Sequence, residues 1–333
     1  MSETASDDLE FDGDVVIVTG AGSGLGRAYA LELARRGARV VVNDIGTDQS
    51  GEGLSSNAGE TTVQAIRHEG GTAIPDGHSV AERSGGTALV KAALDAFGQV
   101  DAVVHNAGFS KDNFFDEMTD EQIDSVLDVH LRGAFYVAQP AYAAMKTSGG
   151  GRLVFTASTA GLLGAPLMSN YGAGKMGVVG LARSIALEGA QYGIKANALS
   201  PGAMTRRGDD KDAFRFKNRS NPIDPSTVPG LEWLTPERVA PMAVLLAHRS
   251  CPVTGEILMA RSGWFARAWI AASEGWIAGD GPIRAEDLLA HWEEIAGTNQ
   301  AGSELPLDGP GWTVRFMNER IKPLLSEPAG TAP

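Results

Sequence analysis

The chain has 333 residues, and 43% of them are hydrophobic, which is enough apolar side-chain volume for a sizeable core. Its net charge of −13 disfavours nucleic-acid binding and electrostatic attachment to an anionic membrane, because both require a basic surface. A single cysteine, no signal-peptide pattern and no apolar run of the ~18–20 residues that a membrane span needs lead us to expect a cytoplasmic protein without disulfides.

The first three predicted elements form a strand–helix–strand unit. A β-branched apolar run predicts a buried strand over 14–19, helical spacing of apolar residues predicts a helix over 25–36, and a second apolar run predicts a strand over 39–43. A glycine-rich turn joins the first strand to the helix. This order is typical of a βαβ unit with parallel strands.

Strands and helices continue to alternate up to residue 260. The further predicted strands cover 72–75, 101–105, 152–157, 194–199 and 256–259. The further predicted helices cover 59–69, 88–97, 120–145, 171–192 and 236–248, the third with a kink at Pro140. This alternation predicts an α/β fold, a single-domain Rossmann fold with a doubly wound, seven-stranded parallel sheet. We expect a flexible N-terminus over 1–11, the main domain over 12–260 and a helical C-terminal extension over 261–333.

The turn at 19–26 has the composition of a phosphate-binding turn. Gly20, Gly24 and Gly26 let the backbone close tightly and approach a pyrophosphate, and the helix that follows offers free N–H groups and positive partial charge. The spacing differs from G-x-G-x-x-G, so a purely structural turn stays an alternative.

Asp44 ends the second predicted strand, near the ~20-residue offset at which an acid binds the adenosine ribose. Its carboxylate would accept hydrogen bonds from the ribose hydroxyls and repel a 2′-phosphate, which favours NAD over NADP. A solvated aspartate at a strand end is the alternative. The segment 105–108 follows the fourth strand, and its small residues would let the chain pass close to the cofactor.

Tyr171 and Lys175 lie one helical turn apart and therefore share a face of the helix predicted over 171–192. A free phenol has a pKa of ~10, and a nearby ammonium lowers it toward the range of a useful acid or base. Ser158 ends the fifth strand, and its hydroxyl could hold a substrate oxygen. Taken alone, a Tyr–Lys pair at this spacing is common by chance.

Together these motifs resemble the short-chain dehydrogenase/reductase family. TGAGSGLG at 19–26, HNAG at 105–108, Ser158, Tyr171-x-x-x-Lys175 and Pro201-Gly202 occur in the family's order, over residues 12–260. The resemblance implies that Tyr171 donates and accepts the proton at the substrate oxygen, that Ser158 orients that oxygen, and that Lys175 lowers the pKa of Tyr171 and binds the nicotinamide ribose. The implied cofactor is NAD, held by Gly20, Ser23, Gly24, Leu25, Gly26, Asp44, Asn106, Ala107, Gly108, Tyr171, Lys175, Pro201, Gly202 and Thr205.

A narrower resemblance is to the (3R)-hydroxyacyl-CoA dehydrogenase domains of peroxisomal multifunctional enzymes of type 2. It depends on VVVND at 40–44 with a long glycine-rich loop, on VHLRG at 129–133, and on SGW at 262–264 with a tryptophan-bearing tail. It implies interconversion of (3R)-3-hydroxyacyl-CoA and 3-oxoacyl-CoA, or of a 17β-hydroxysteroid or another alcohol and its ketone. We expect a stand-alone dehydrogenase that forms a homodimer or homotetramer, without the hydratase and sterol-carrier domains of these enzymes.

Three positions depart from the wider family. His130 stands where most members have an asparagine that supports a water-linked proton relay; it is expected either to pass protons or only to pack. His78 stands where an acidic residue usually contacts adenine, and Thr205 comes early relative to the usual cofactor-binding threonine.

Two segments bear on the substrate. Six basic residues between 206 and 219 could bind the phosphates of CoA, although interleaved aspartates equally suit a solvated loop. The apolar run at 160–168 could line an acyl or steroid pocket or pack in the core. The tryptophans of the C-terminal extension are expected to lie in the core or at a subunit interface.

Two other functional classes are weaker. A catalytically silent NAD-binding module is disfavoured because Ser158, Tyr171 and Lys175 are all present. No metal is predicted, since the six histidines lack H-E-x-x-H or similar spacing.

Overall fold

The structure is a computed structural model. It describes residues 9–47, 51–53, 57–204, 230–279, 281–297, 302–307, 313–314 and 316–321. The chain forms two compact units, Met1–Arg267 and Ala268–Pro333.

Among its described residues, the first unit contains an eight-stranded sheet, in the order β3-β2-β1-β4-β5-β6-β7-β8. Neighbouring strands from β3 to β7 pair in parallel, which confirms the predicted α/β, doubly wound fold. The order along the sheet reverses between β1 and β4, so the carboxyl ends of these two strands mark the crevice in which such folds bind ligands. The strands are β1 Val15–Thr19, β2 Arg39–Asn43, β3 Thr72–Asp76, β4 Ala102–His105, β5 Gly151–Thr156, β6 Ile194–Gly202, β7 Ile257–Arg261 and β8 Trp264–Ala268.

Strand β8 was not predicted from the sequence. It follows β7 after only Ser262 and Gly263, and so short a connection permits only antiparallel pairing. Both linking residues have positive φ, 50° and 84°, as tight hairpin turns require.

Helices pack on the sheet through small and β-branched residues. Helix α1 packs against α8 over a core that includes Val16, Val18 and Leu199, and α3 packs against α5. Within the described part of the first unit, the helices are α1 Gly24–Arg35, α2 Asn57–His68, α3 Arg83–Phe97, α4 Asp120–Leu127, α5 Gly133–Ser148, α6 Thr159–Leu163, α7 Ser169–Gly189 and α8 Ala240–Ala247.

The helix predicted over 120–145 is in fact two helices, and Pro140, where we expect a kink, lies inside the second of them. A π-helical turn, Asp128–Arg132, separates α4 from α5, whereas α5 runs through Pro140 to Ser148. Pro140 has no N–H to offer the carbonyl of Tyr136. Gly86 of α3 packs on that carbonyl so closely that an added Cβ would lie 2.5 Å from its oxygen. The carbonyl therefore faces a neighbouring helix, and α5 continues.

The described residues of the second unit include two short helices, α9 Ala285–Ala290 and α10 Trp292–Ala296, and a π-helical turn, Met317–Ile321. Strands β9 Ala271–Ala272 and β10 Ser303–Glu304 pair antiparallel. The Trp276 ring stacks on His291 at 4.2 Å between centroids. Trp312 lies outside the described residues. Within the described part of the chain, no helix combines the length and apolarity needed to cross a membrane.

Candidate active site

The glycine-rich turn after β1 leaves no room for a side chain at Gly20 or Gly26. Gly20 has a φ of +64°, and a Cβ there would lie 2.8 Å from the Cα of Ala107. A Cβ at Gly26 would lie 2.1 Å from the carbonyl oxygen of Gly20. The turn therefore brings bare backbone to the crevice between β1 and β4, as a bound pyrophosphate would require.

Helix α1 begins at Gly24 with its first N–H groups available to a ligand. Its N-cap, Ser23, makes no side-chain hydrogen bond to the helix, and the first turn carries no acidic side chain. Leu25 follows at partial burial. Because such a helix end carries positive partial charge and free donors, the turn fits the pyrophosphate of a dinucleotide.

Asp44 lies directly after β2 and is tied to the same turn. Its Oδ2 accepts a hydrogen bond from the Gly22 amide at 2.8 Å, and its Oδ1 accepts one from the Gly46 amide at 2.7 Å. Each carboxylate oxygen has a second lone pair, so these bonds leave acceptors for ribose hydroxyls. The site thus places a fixed negative charge beside the glycine-rich turn.

The segment Asn106, Ala107 and Gly108 is fastened to the turn by Thr19, a residue that the sequence did not single out. The Thr19 hydroxyl oxygen accepts from the amides of Asn106 and Ala107, both at 3.0 Å. The side-chain amide of Asn106 donates to the carbonyls of Thr19 at 3.2 Å and Gly20 at 3.3 Å. Thr19 ends β1 and is the first residue of the TGAGSGLG motif at 19–26, which is the sequence signal for it.

Lys175 and Tyr171 lie on one face of α7, as predicted. Lys175 is buried, and its Nζ donates to the carbonyl of Thr156 at the end of β5, at 2.6 Å. The ammonium lies 5.5 Å from the centroid of the Tyr171 ring. Ser158 lies two residues beyond Thr156 and caps α6 by accepting from the Ala160 amide at 3.2 Å. The end of β5 thus carries the serine and anchors the lysine.

Asn170, which the sequence analysis missed, fixes the first turn of α7. Its side-chain amide donates to the carbonyls of Lys111 at 3.0 Å and Gln122 at 2.8 Å, and its Oδ1 accepts from the Tyr171 amide at 2.7 Å. The residue is buried. It therefore ties the backbone of the tyrosine to the loop that follows β4 and to α4.

His130 lies in the π-helical turn and contacts both Tyr171 and the chain at Gly108 and Phe109. Its Nε2 lies 2.7 Å from the carbonyl oxygen and 3.2 Å from the amide nitrogen of Phe109. Its ring meets that of Tyr171 edge to face, with centroids 5.0 Å apart. A Cβ at Gly108 would lie 2.0 Å from His130 Cε1, so only glycine fits there.

A second buried histidine, His105, ends β4 beside this cluster. Burial, together with the positive charge of Lys175, lowers the pKa of His105 to about 4. Its Nδ1 lies 3.5 Å from the Thr19 hydroxyl. The ring is therefore neutral at physiological pH and adds no charge next to the lysine.

The remaining predicted residues are less informative. Pro201 and Gly202 end β6, where a Cβ at Gly202 would lie 2.8 Å from the Cβ of Arg261. His78 places its Nδ1 2.8 Å from the Oδ2 of the buried Asp76, so an acidic group does lie at this edge of the sheet. Thr205 and the basic segment 206–219 lie outside the described residues. Among those that are described, no group of three or more His, Cys, Asp or Glu side chains could hold a metal ion.

Comparison with known proteins places this arrangement in a family. The family model for short chain dehydrogenases matches residues 14–212. A short-chain type dehydrogenase/reductase of Mycobacterium tuberculosis is 42% identical over 87% of this chain and 96% of its own length. Peroxisomal multifunctional enzyme type 2 of Mus musculus is 39% identical over 88% of this chain, which spans 38% of that enzyme. The crystal structure of a short chain dehydrogenase from Mycobacterium avium superposes with a TM-score of 0.70 at 32% identity, covering 88% of this chain and 98% of that one.

Proposed function

The chain belongs to the short-chain dehydrogenase family, and we propose that it uses NAD to interconvert a (3R)-3-hydroxyacyl-CoA and the 3-oxoacyl-CoA. The observation that carries the proposal is the buried Lys175 ammonium, held by the end of β5 and 5.5 Å from the Tyr171 ring, with Ser158 two residues beyond its anchor. A buried cation against a phenol stabilises the phenolate, the form that can accept a proton from an alcohol.

The cofactor part of the proposal depends on the glycine-rich turn and on Asp44. The bare turn and the open end of α1 would hold the pyrophosphate, and the carboxylate tied to Gly22 would receive the adenosine ribose. A 2′-phosphate would be repelled by that carboxylate, so NAD is favoured over NADP. Bound NAD supplies the acceptor for the hydride that leaves the alcohol carbon.

In the oxidation direction, the Tyr171 phenolate takes the hydroxyl proton while the Ser158 hydroxyl orients the same oxygen. Lys175 stabilises the phenolate throughout, because its backbone anchor at Thr156 keeps the ammonium in place. His130 supports the geometry: its ring packs on the phenol, and its Nε2 holds the backbone of Phe109. We assign His130 a positioning role.

The choice of substrate is supported by the similarity of this chain to a mouse enzyme. The mouse relative is a peroxisomal multifunctional enzyme type 2, and the similarity covers 88% of this chain. The basic segment 206–219 supplies charges of the right sign for the phosphates of CoA. A hydroxyacyl-CoA is therefore the first substrate to test.

The test is NADH formation with (3R)-3-hydroxyacyl-CoA esters, comparing the native protein with Tyr171→Phe. We expect the variant to lose about 10²–10⁴-fold in kcat, as for removal of a general acid–base, while NAD still binds. Tyr142→Phe is the matched control, since that phenol lies on α5 against Tyr192. An active Tyr171→Phe protein, or a native protein that prefers NADP or oxidises none of these esters, would contradict the proposal.

We further propose a homodimer or homotetramer that works in the cytoplasm. Sedimentation equilibrium tests the first part, and a mass of about 35 kDa, that of one chain, would refute it. Fractionation of the source cells tests the proposed cytoplasmic location.

A further inference from the structure

The described residues with the most exposed large hydrophobic side chains are Phe115, at 82% exposure, and Leu163, at 79%. Isolated exposed apolar residues are common on protein surfaces. These two, however, lie next to the candidate catalytic residues in the structure: Leu163 is on the helix that Ser158 caps, and the loop of Phe115 is hydrogen-bonded through Asn170 to the start of the Tyr171 helix. That coincidence calls for a physical reason.

Phe115 lies in the loop between β4 and α4, which is attached to the start of α7. Asn170 binds the Lys111 carbonyl of this loop and the amide of Tyr171. The loop is stiffened internally, because the Asn113 side chain bonds the amide of Phe114 at 2.9 Å and the carbonyl of Glu117 at 2.9 Å. Phe115 is thus exposed on an ordered loop.

Leu163 is the last residue of α6, the helix that Ser158 caps. At a rise of ~1.5 Å per residue, Leu163 lies about 7.5 Å from Ser158 along the helix axis. The segment that follows it reaches back to the Phe115 loop: the Asn113 amide donates to the Leu167 carbonyl at 2.9 Å. Leu167 has a φ of +67°, a conformation rarely adopted by branched residues outside constrained or functional sites.

Charge indicates which part of a hydroxyacyl-CoA suits this surface. Asp116 and Glu117, which follow Phe115, are both exposed. They would repel the phosphates of CoA, whereas an uncharged hydrocarbon chain is not repelled. The apolar side chains therefore fit the acyl end of the substrate.

We propose that Phe115 and Leu163 form the contact for the acyl chain of the substrate and set its chain-length preference. This inference rests on the proposed function, because it presupposes an acyl substrate with its 3-hydroxyl at Ser158 and Tyr171. Transfer of each methylene from water onto an apolar surface favours the bound state, by up to about fourfold per methylene for full burial.

The experiment measures kcat/KM for 3-hydroxyacyl-CoA esters from butyryl to palmitoyl, in the native protein and in Phe115→Ser and Leu163→Ser. For the native protein we expect kcat/KM to rise about two- to fourfold per methylene over part of the series. Each variant should flatten that rise, and both substitutions are at exposed positions where folding tolerates them. Leu187→Ser, at an exposed position farther along α7, is the control and should keep the native rise.

The outcomes separate this inference from the function on which it rests. A native protein that oxidises the butyryl ester but shows no dependence on chain length overturns the inference and leaves the function standing. Inactivity on every ester overturns the function itself. A native rise that survives in both variants, or variants that change only the sedimentation behaviour, assigns the side chains to a subunit contact and also overturns the inference.

Discussion

Replacing His105 by asparagine should make the protein less sensitive to acid. His105 is buried at the end of β4, and its pKa is lowered to about 4 by burial and by the charge of Lys175. In the unfolded chain both causes are absent, and the imidazole returns to its ordinary pKa of 6.5. Asparagine keeps a polar side chain in the cavity but cannot titrate.

The sign follows from the proton balance. Between pH 6.5 and about 4, the unfolded chain binds a proton at His105 and the folded chain does not, so acid favours unfolding in that window. The stability that the neutral His105 ring contributes is fully present above the pKa of the unfolded chain. It is lost as the pH falls toward the pKa of the folded chain. The shift corresponds to about 3 kcal/mol over the whole window, at ~1.4 kcal/mol per pKa unit.

Urea unfolding between about pH 7 and about pH 4.5 measures this contribution. The unfolding free energy of the native protein should fall by about 2–3 kcal/mol more than that of His105→Asn, because carboxylates shared by both proteins cancel in the difference. His68→Asn, at an exposed position, controls for the loss of a histidine as such. Parallel curves for the native protein and His105→Asn would refute the reasoning.

Three further substitutions test the local structure. Asn170→Ala removes the hydrogen bonds that hold the first turn of α7 at Tyr171, so it should lower the unfolding free energy by about 3 kcal/mol and should also lower kcat. An unchanged kcat would show that Asn170 does not position the active site. Gly26→Ala places a Cβ 2.1 Å from the Gly20 carbonyl and should weaken NAD binding at least about tenfold by calorimetry, so an equal Kd would contradict the tight turn. Thr119→Ala removes the capping box of α4 and should cost about 1 kcal/mol in urea unfolding without changing the Kd for NAD; no loss of stability would show that the cap is dispensable.

The parallel strands and the first βαβ unit could be predicted because local signals coincide there. The run at 15–19 is uninterrupted and β-branched, glycines follow it, and Gly37 follows the next helix. The Tyr171–Lys175 pair could be predicted for the same reason, since helical spacing alone brings the two side chains to one face.

The π-helical turn at 128–132 could not be predicted, because apolar spacing runs evenly through 120–145 and carries no mark of one extra residue per turn. Tertiary packing distinguishes it: a Cβ at Gly133 would lie 2.9 Å from the Val80 carbonyl oxygen. Thr19 and Asn170 were missed for a related reason. The hydrogen bonds that join them to distant segments span up to 88 residues, so no local pattern reports these contacts.

That turn bears directly on how the site is held. By shifting the helix register within α4–α5, it sets His130 where its ring packs on Tyr171 and its Nε2 meets the backbone of Phe109. Gly108 supplies the space, since any side chain there would overlap the imidazole. The segment 106–108 and helix α7 are thus joined through one buried ring. Because packed side chains hold geometry more tightly than a loop alone, the phenol and the crevice between β1 and β4 have a defined spacing before a ligand binds.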